Sequence, residues 1–209
     1  MVVAHGGQSV SAEPTTAYQL AVLRMIPLVA AIRHAVRGRG VVVRRPRFEV
    51  RGWNDANASP VRDLTRILDD LRAEFGPVPV VLVGHSMGAR AALRAAGHPS
   101  VAAAAGLAPW LPPGEPVGQL TGRRILLAHG TADAVTSPAD TWVYAERARA
   151  LTSVTEIEVG TGEHTMLWRA PLWHGLAAAF TCLSLGLPAP SGAAAAAVAD
   201  ARPPQRTVV

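Results

Sequence analysis

Short, nearly unbroken runs of Val, Ile, Leu and Ala alternate with longer stretches of helical periodicity along this 209-residue chain. Val2 to Ala4 precedes Tyr18 to Val36, Val41 to Val43 precedes Ser59 to Phe75, and Val80 to Val83 precedes Ser86 to Ala96. Val101 to Leu107, Ile125 to Ala128 and Val154 to Val159 read as further strands, with helices expected at Ser137 to Leu151 and Thr165 to Leu185. A strand that is apolar along its whole length is covered on both faces, and helices between such strands supply the cover. The expected fold class is therefore α/β: a three-layer α/β/α sandwich with a mostly parallel sheet of about six strands.

Local signals sharpen the boundaries. Ser59-Pro60 and Ser137-Pro138 each put a capping hydroxyl before a proline suited to the first helical turn, and Asp140 extends the second into a capping-box-like pattern. Pro27 lies inside the first helical pattern and predicts a kink or a late helix start. Residues 1–186 form one expected domain. Beyond Gly186 the stretch "LPAPSGAAAAAVADARPPQRTVV" loses its periodicity, so 187–209 is expected to be a disordered Ala/Pro-rich tail.

Composition excludes several classes. All twenty basic residues are arginine; without lysine there is no Walker-A phosphate loop, Schiff base or pyridoxal phosphate attachment. The formal charge of +5 is concentrated between Arg33 and Arg51, yet no nucleic-acid-binding signature accompanies it, and a solvated face is the expected reading. Gly38-Arg-Gly40 precedes a strand instead of following one, so it fails as a dinucleotide loop. No spacing suggests a metal site, and no cofactor is implied. The single cysteine, Cys182, cannot form an internal disulfide and has apolar neighbours, consistent with a buried core thiol. No apolar run is long enough to span a bilayer and no cleavable leader is visible, so a cytoplasmic location is expected.

Chemistry is expected where the strands end, because parallel strands deliver all their carboxyl ends to one edge. Ser86, in Gly84-His85-Ser86-Met87-Gly88, falls between a buried strand and a helix, where G-x-S-x-G makes a sharp turn that projects the serine hydroxyl. Glycines without Cβ allow that turn to close, and the first amides of the helix, Met87 first among them, point at a developing oxyanion. A serine hydroxyl needs a base, and a base needs an orienting carboxylate. His164, in the loop after the last of these strands, is the candidate base; Asp133, just beyond Ile125 to Ala128, is the candidate carboxylate, with Glu115 in reserve. Gly7 in His5-Gly6-Gly7 is the second expected oxyanion donor, with Gln8 as the alternative. His5 and His129 also end strands and could make supporting hydrogen bonds, although the glycines after them suggest backbone-shaping roles.

The "HGG" loop, "GHSMG", "LAPWLPP", "HGTAD" and the "GEH" loop stand in the order found in the α/β-hydrolase-fold family. From Val2 to about Leu183 the chain resembles the small, lid-less actinobacterial members of that family. The resemblance implies cleavage of carboxylic esters, thioesters or related acyl bonds through an acyl-enzyme. It also marks a departure, since the family's sheet usually begins with strands before the "HG" loop and this sequence starts at that strand. Only Ala108 to Arg124 separates two strands where many relatives insert a cap domain, so a large lid is not expected.

Trp110, Leu111 and Trp53 could wall an acyl or alcohol pocket beside Met87, or simply pack the loops. Trp168 and Trp173 are expected to pack in the core through the last helix. The leading expectation is a serine esterase acting on a small-molecule ester. A thioesterase or acyltransferase would use the same residues, with the arginine stretch receiving an anionic carrier. A binding protein that merely retains the hydrolase fold is the alternative of another class. Oligomeric state is not readable from these patterns.

Overall fold

A computed structural model describes residues 1–200 and 206–209. Six strands, β1 (Val2–Ala4), β2 (Val80–His85), β3 (Val101–Leu107), β4 (Arg124–Gly130), β5 (Ser153–Val159) and β6 (Thr207–Val208), form one sheet in sequential order. Every pairing is parallel. The helices are α1 (Leu20–Leu23), α2 (Met25–Ala35), α3 (Ser59–Phe75), α4 (Met87–Ala95), α5 (Pro138–Arg149), α6 (Ala170–Ser184) and α7 (Ala193–Asp200). None of the described helices is long and apolar enough to cross a membrane.

The two-residue period of a strand divides the core into two layers. Val81 and Val83 in β2, Leu126 and Ala128 in β4, and Ile157 and Val159 in β5 pack with α2, α6 and α7. Val80, Leu82, Ile125, Leu127 and Val154 face α3, α4 and α5. β3 is built largely of Ala and Gly, so helices can approach the sheet centre closely: Gly106 lies against Leu93 and Leu127, and an added Cβ would lie 3.2 Å from the Leu127 side chain. Cys182 is a free, buried thiol, as expected from its neighbours.

Several boundaries differ from the sequence reading. Val41 to Val43 is not a strand. Arg44 exchanges backbone hydrogen bonds with Met1 and Val3 at 3.0 and 2.9 Å, but Pro46 has no N–H to continue the ladder, and one bridge is all that forms. The sixth strand is instead β6. Ser59 does not cap α3; it is the first helical residue, entered from Ala58 at φ 42°. Ser137 caps α5 as expected, accepting from the Asp140 N–H at 3.1 Å. Pro27 interrupts the helical stretch: it cannot donate to Leu23, so the chain breaks at Arg24 between α1 and α2, and Pro27 sits in the first turn of α2. The helix expected from Thr165 is α6, which begins at Ala170 with Pro171 in its first turn.

In the segment expected to be a disordered tail, Ala193–Asp200 is helical and packs on α6, while Thr207–Val208 extends the sheet beside β5. Small side chains explain the packing. Gly175 of α6 meets Ala194 so closely that an added Cβ would lie 2.7 Å from the alanine methyl. Residues 201–205 of that segment lie outside the described residues.

Between β3 and β4 the chain makes only one 3-10 turn, Gly118–Leu120, so no cap domain covers the sheet edge there.

Candidate active site

At the end of β2 the backbone turns through Ser86, whose φ is 55°. That left-handed conformation is costly for a residue with a Cβ, and the surroundings impose it. Gly84 permits the turn because an added Cβ would collide with the Gly88 carbonyl; Gly88 permits it because an added Cβ would collide with the His5 carbonyl. The elbow is locked from outside as well, since Ser86 N–H donates to the Leu107 carbonyl at 3.1 Å and the Ser86 carbonyl accepts from Trp110 N–H at 3.3 Å.

Ser86 Oγ lies 3.0 Å from His164 Nε2, and His164 Nδ1 lies 2.9 Å from Asp133 Oδ2. The three residues come from the ends of β2, β4 and β5, which register alone would leave apart. Packed glycines bring the last two loops together: a Cβ on Gly130 would collide with the Gly162 carbonyl. Backbone bonds then set their height, with Ala132 N–H donating to Gly162 at 2.9 Å and Thr161 N–H to the Thr131 hydroxyl at 2.9 Å.

The Asp133 side chain is wholly buried. Its Oδ1 accepts from the N–H groups of Val135 and Thr136 at 2.8 and 2.9 Å. Its Oδ2 receives His164, the Thr136 hydroxyl at 2.9 Å and His129 Nε2 at 3.0 Å. Burial by itself pushes such a carboxyl up, but these donors outweigh it and hold Asp133 well below the usual carboxylate range.

His85, directly before the serine, is buried and donates Nε2–H to the His164 carbonyl at 2.8 Å. Burial, then the neighbouring His164, pushes its pKa down to about 3, so it stays neutral beside His164. His5 holds the facing loop: its Nδ1–H donates to the Gly6 carbonyl at 2.7 Å and Nε2 accepts from Phe48 N–H at 3.1 Å. Of the remaining histidines, His98 pairs with Asp69, and His34 and His174 lie in α2 and α6.

Among the described residues, the N–H groups of Met87 and Gly7 donate to no acceptor of the chain. Gln8 N–H is engaged with the Arg51 carbonyl at 2.8 Å, which removes the alternative donor. Gly7 also packs where a side chain would strike the Arg51 carbonyl and Met87. Glu115 is withdrawn from any role with His164, because it forms buried ion pairs with Arg90, at 2.8 Å, and Arg94.

The expected pocket wall is arranged differently. Trp53 and Leu111 are buried, and Trp53 meets Trp110 edge-on with ring centroids 6.2 Å apart. Arg90 stacks on both, its guanidinium carbon 3.9 Å from one ring and 4.6 Å from the other. No sequence spacing signals this cation between two tryptophans, because Arg90 lies four residues past the serine on a helix expected only to pack. Trp173 is buried as expected, but Trp168 is 61 % exposed. It precedes α6, and with Leu167, Glu163, Ala132 and Thr161 it borders an open depression beside the His164 loop.

The chain belongs to the alpha/beta hydrolase family, whose model matches residues 1–208. Comparison with curated protein sequences returns no match. Among solved structures, it resembles an alpha-beta serine hydrolase homologue from Coxiella burnetii at 17% identity, covering 85% of this chain and 82% of that one with a TM-score of 0.64. A serine hydrolase without a lid from Xanthomonas campestris shares 20% identity over 91% of this chain and 83% of its own, at a TM-score of 0.61. Est1E from Butyrivibrio proteoclasticus, whose structure holds ferulic acid, shares 12% identity over 88% of each chain, at 0.63. At these identities the likeness is one of fold.

Proposed function

We propose that this protein is a cofactor-independent serine hydrolase that cleaves a carboxylic ester through an acyl-enzyme. The observation that carries the reading is the continuous hydrogen-bonded series Asp133, His164, Ser86, with links of 2.9 and 3.0 Å. In this reading Ser86 Oγ attacks the ester carbonyl carbon while its proton passes to His164 Nε2. Charge builds on the carbonyl oxygen, where the Met87 and Gly7 N–H groups receive it. The carbon–oxygen bond to the alcohol then breaks, and His164 returns the proton to the departing oxygen. A water follows the same route: it gives a proton to His164, attacks the acyl carbon, and Ser86 leaves reprotonated as the carboxylic acid is released. Asp133 stays ionised throughout and holds the imidazole with Nε2 facing the serine.

The ferulic acid held by Est1E is a carboxylic acid, the kind of product released when an ester or another acyl bond is hydrolysed, and this supports acyl-bond cleavage. The carrier-thioester alternative looked to the arginine stretch for an anion cradle. Arg33 and Arg45 instead donate to chain carbonyls, and Arg44 and Arg51 pair with Glu74 and Glu13.

Treatment of the folded protein with a fluorophosphonate, followed by peptide mass spectrometry, is expected to label Ser86. A panel of esters and thioesters graded by acyl length, run beside Ser86→Ala, is expected to show ester turnover that this variant loses by a factor of about 10³ or more. Labelling elsewhere, or turnover that survives Ser86→Ala, would overturn the reading.

A further inference from the structure

Asp133 receives two histidines, and the reaction above uses one. His129, next to last in β4, has a wholly buried side chain; its Nε2 lies 3.0 Å from Asp133 Oδ2 and its Nδ1 lies 2.7 Å from the Thr141 hydroxyl in α5. These partners assign the proton. An ionised carboxylate only accepts, so Nε2–H donates to Asp133; in the neutral ring the bare Nδ1 accepts from the Thr141 hydroxyl, at 2.7 Å a closer partner for that proton than the Ser137 carbonyl at 3.4 Å. Thr141 is itself wholly buried, and the ring is thus gripped between the sheet and a helix.

We propose that His129 is a positioning residue: it fixes the Asp133 carboxylate and moderates the pull of that carboxylate on the His164 proton. The proposal rests on the reading of Ser86, His164 and Asp133 as the reacting set. Asp133 lies in a turn beyond β4, where its other donors, Val135, Thr136 and His164, belong to loops. His129 is the one donor within a strand, so it ties the carboxylate to the rigid sheet. Its second effect is electrostatic. Each donor disperses the carboxylate's charge, and a carboxylate with one donor fewer holds the His164 imidazolium more tightly. A base that binds its proton too firmly returns it slowly to the leaving group.

Full-length wild type, His129→Phe and His129→Gln can be compared by Ser86 labelling with a fluorophosphonate and by p-nitrophenyl acetate hydrolysis from about pH 5 to pH 9. Phe fills the space and donates nothing; Gln keeps an N–H at the distance of Nε2. His129→Phe is expected to move the acid limb upward by roughly half a pH unit or more and to lower the plateau about tenfold, the scale of one hydrogen bond to a charged group. His129→Gln is expected to recover most of both. A Phe profile that matches wild type, or equal losses in Phe and Gln at an unchanged melting temperature, would overturn the proposal. The nitrogen NMR spectrum of the wild-type imidazoles needs no variant: Nε2-protonated His129 supports the proposal and Nδ1-protonated His129 refutes it. A wild type that is not labelled at Ser86 would defeat the triad reading, while that spectrum would still report on His129.

Discussion

Ser86, His85 and Met87 are consecutive, yet each meets a different demand: a serine in a strained backbone, a neutral clamp on the His164 loop and an amide left free. His85 carries a measurable consequence. Its folded-state pKa of about 3 lies below the ordinary histidine value of about 6.5, so between those values the unfolded chain binds a proton that the folded protein refuses. Stability conferred by keeping His85 neutral is therefore complete above about pH 6.5 and falls as pH drops, by about 1.4 kcal/mol per unit. Asp133 has the same sign but another window, since its stabilisation is complete above about pH 4 and is lost only below it. From about pH 7 to pH 4 His85 should outweigh it. Urea titrations across that range are expected to show His85→Gln losing less stability than wild type, by roughly 3 kcal/mol. Parallel pH dependence in the two proteins would mean that His85 is not the group refusing the proton.

Elements were readable from the sequence where a local rule suffices. β2 and α4 flank Ser86 as expected because an apolar run, paired glycines and a helix-forming stretch all agree there. Ser86 and Asp133 could be placed for the same reason, each following a strand with an unmistakable apolar run, whereas β5 before His164 alternates, with Val154, Ile157 and Val159 set among Thr155, Glu156 and Glu158. Val41 to Val43 misled because β-branched composition reports burial, whereas a ladder also needs donors, and Pro46 supplies none. Arg90 between Trp53 and Trp110 was hidden because the contact joins three elements far apart in sequence. The elbow offers the sharpest test of element packing. A methyl group at Gly88 would strike the Ala4 and His5 carbonyls, which are backbone and cannot rotate away. Gly88→Ala is expected to cost roughly 2 to 3 kcal/mol by chemical denaturation and to slow Ser86 labelling, because α4 must retreat and carry the Met87 amide with it. Unaltered stability would show that β1 and α4 are less closely packed than described.

At the scale of the whole molecule, the two core layers meet solvent differently. α3, α4 and α5 close one face, while α2 and α6 cover the other together with α7, which packs on α6 and β5 and buries Ala197 and Val198. Such a cover was unreadable from the sequence: an alanine run carries little amphipathic signal, and its fit depends on Gly175 in a separate helix. β6 completes the arrangement by pairing with β5, and the chain after it reaches the sheet edge that carries His164. Gly160 N–H donates to the Val209 carbonyl at 2.8 Å, and Arg169 bridges that carbonyl and the Gly160 carbonyl at 2.8 and 3.0 Å. Gly160 begins the loop that leads to His164, so the C-terminal segment braces that loop. Arg206 adds an ion pair to Glu156, which also pairs with Arg149, and lies over Trp142 at 3.9 Å. Removing residues 187–209 forfeits the burial of Ala197 and Val198 and uncovers part of the α6 face, a loss of roughly 3 kcal/mol at the usual value for burying an aliphatic side chain. For a chain of this size that corresponds to a melting temperature lower by about 6 to 12 °C. The truncated protein is also expected to label at Ser86 several-fold more slowly at a temperature where it is fully folded, because the His164 loop has lost its brace. If labelling keeps its rate while the melting temperature falls, the segment contributes cover alone. If neither changes, it does not pack on the folded domain.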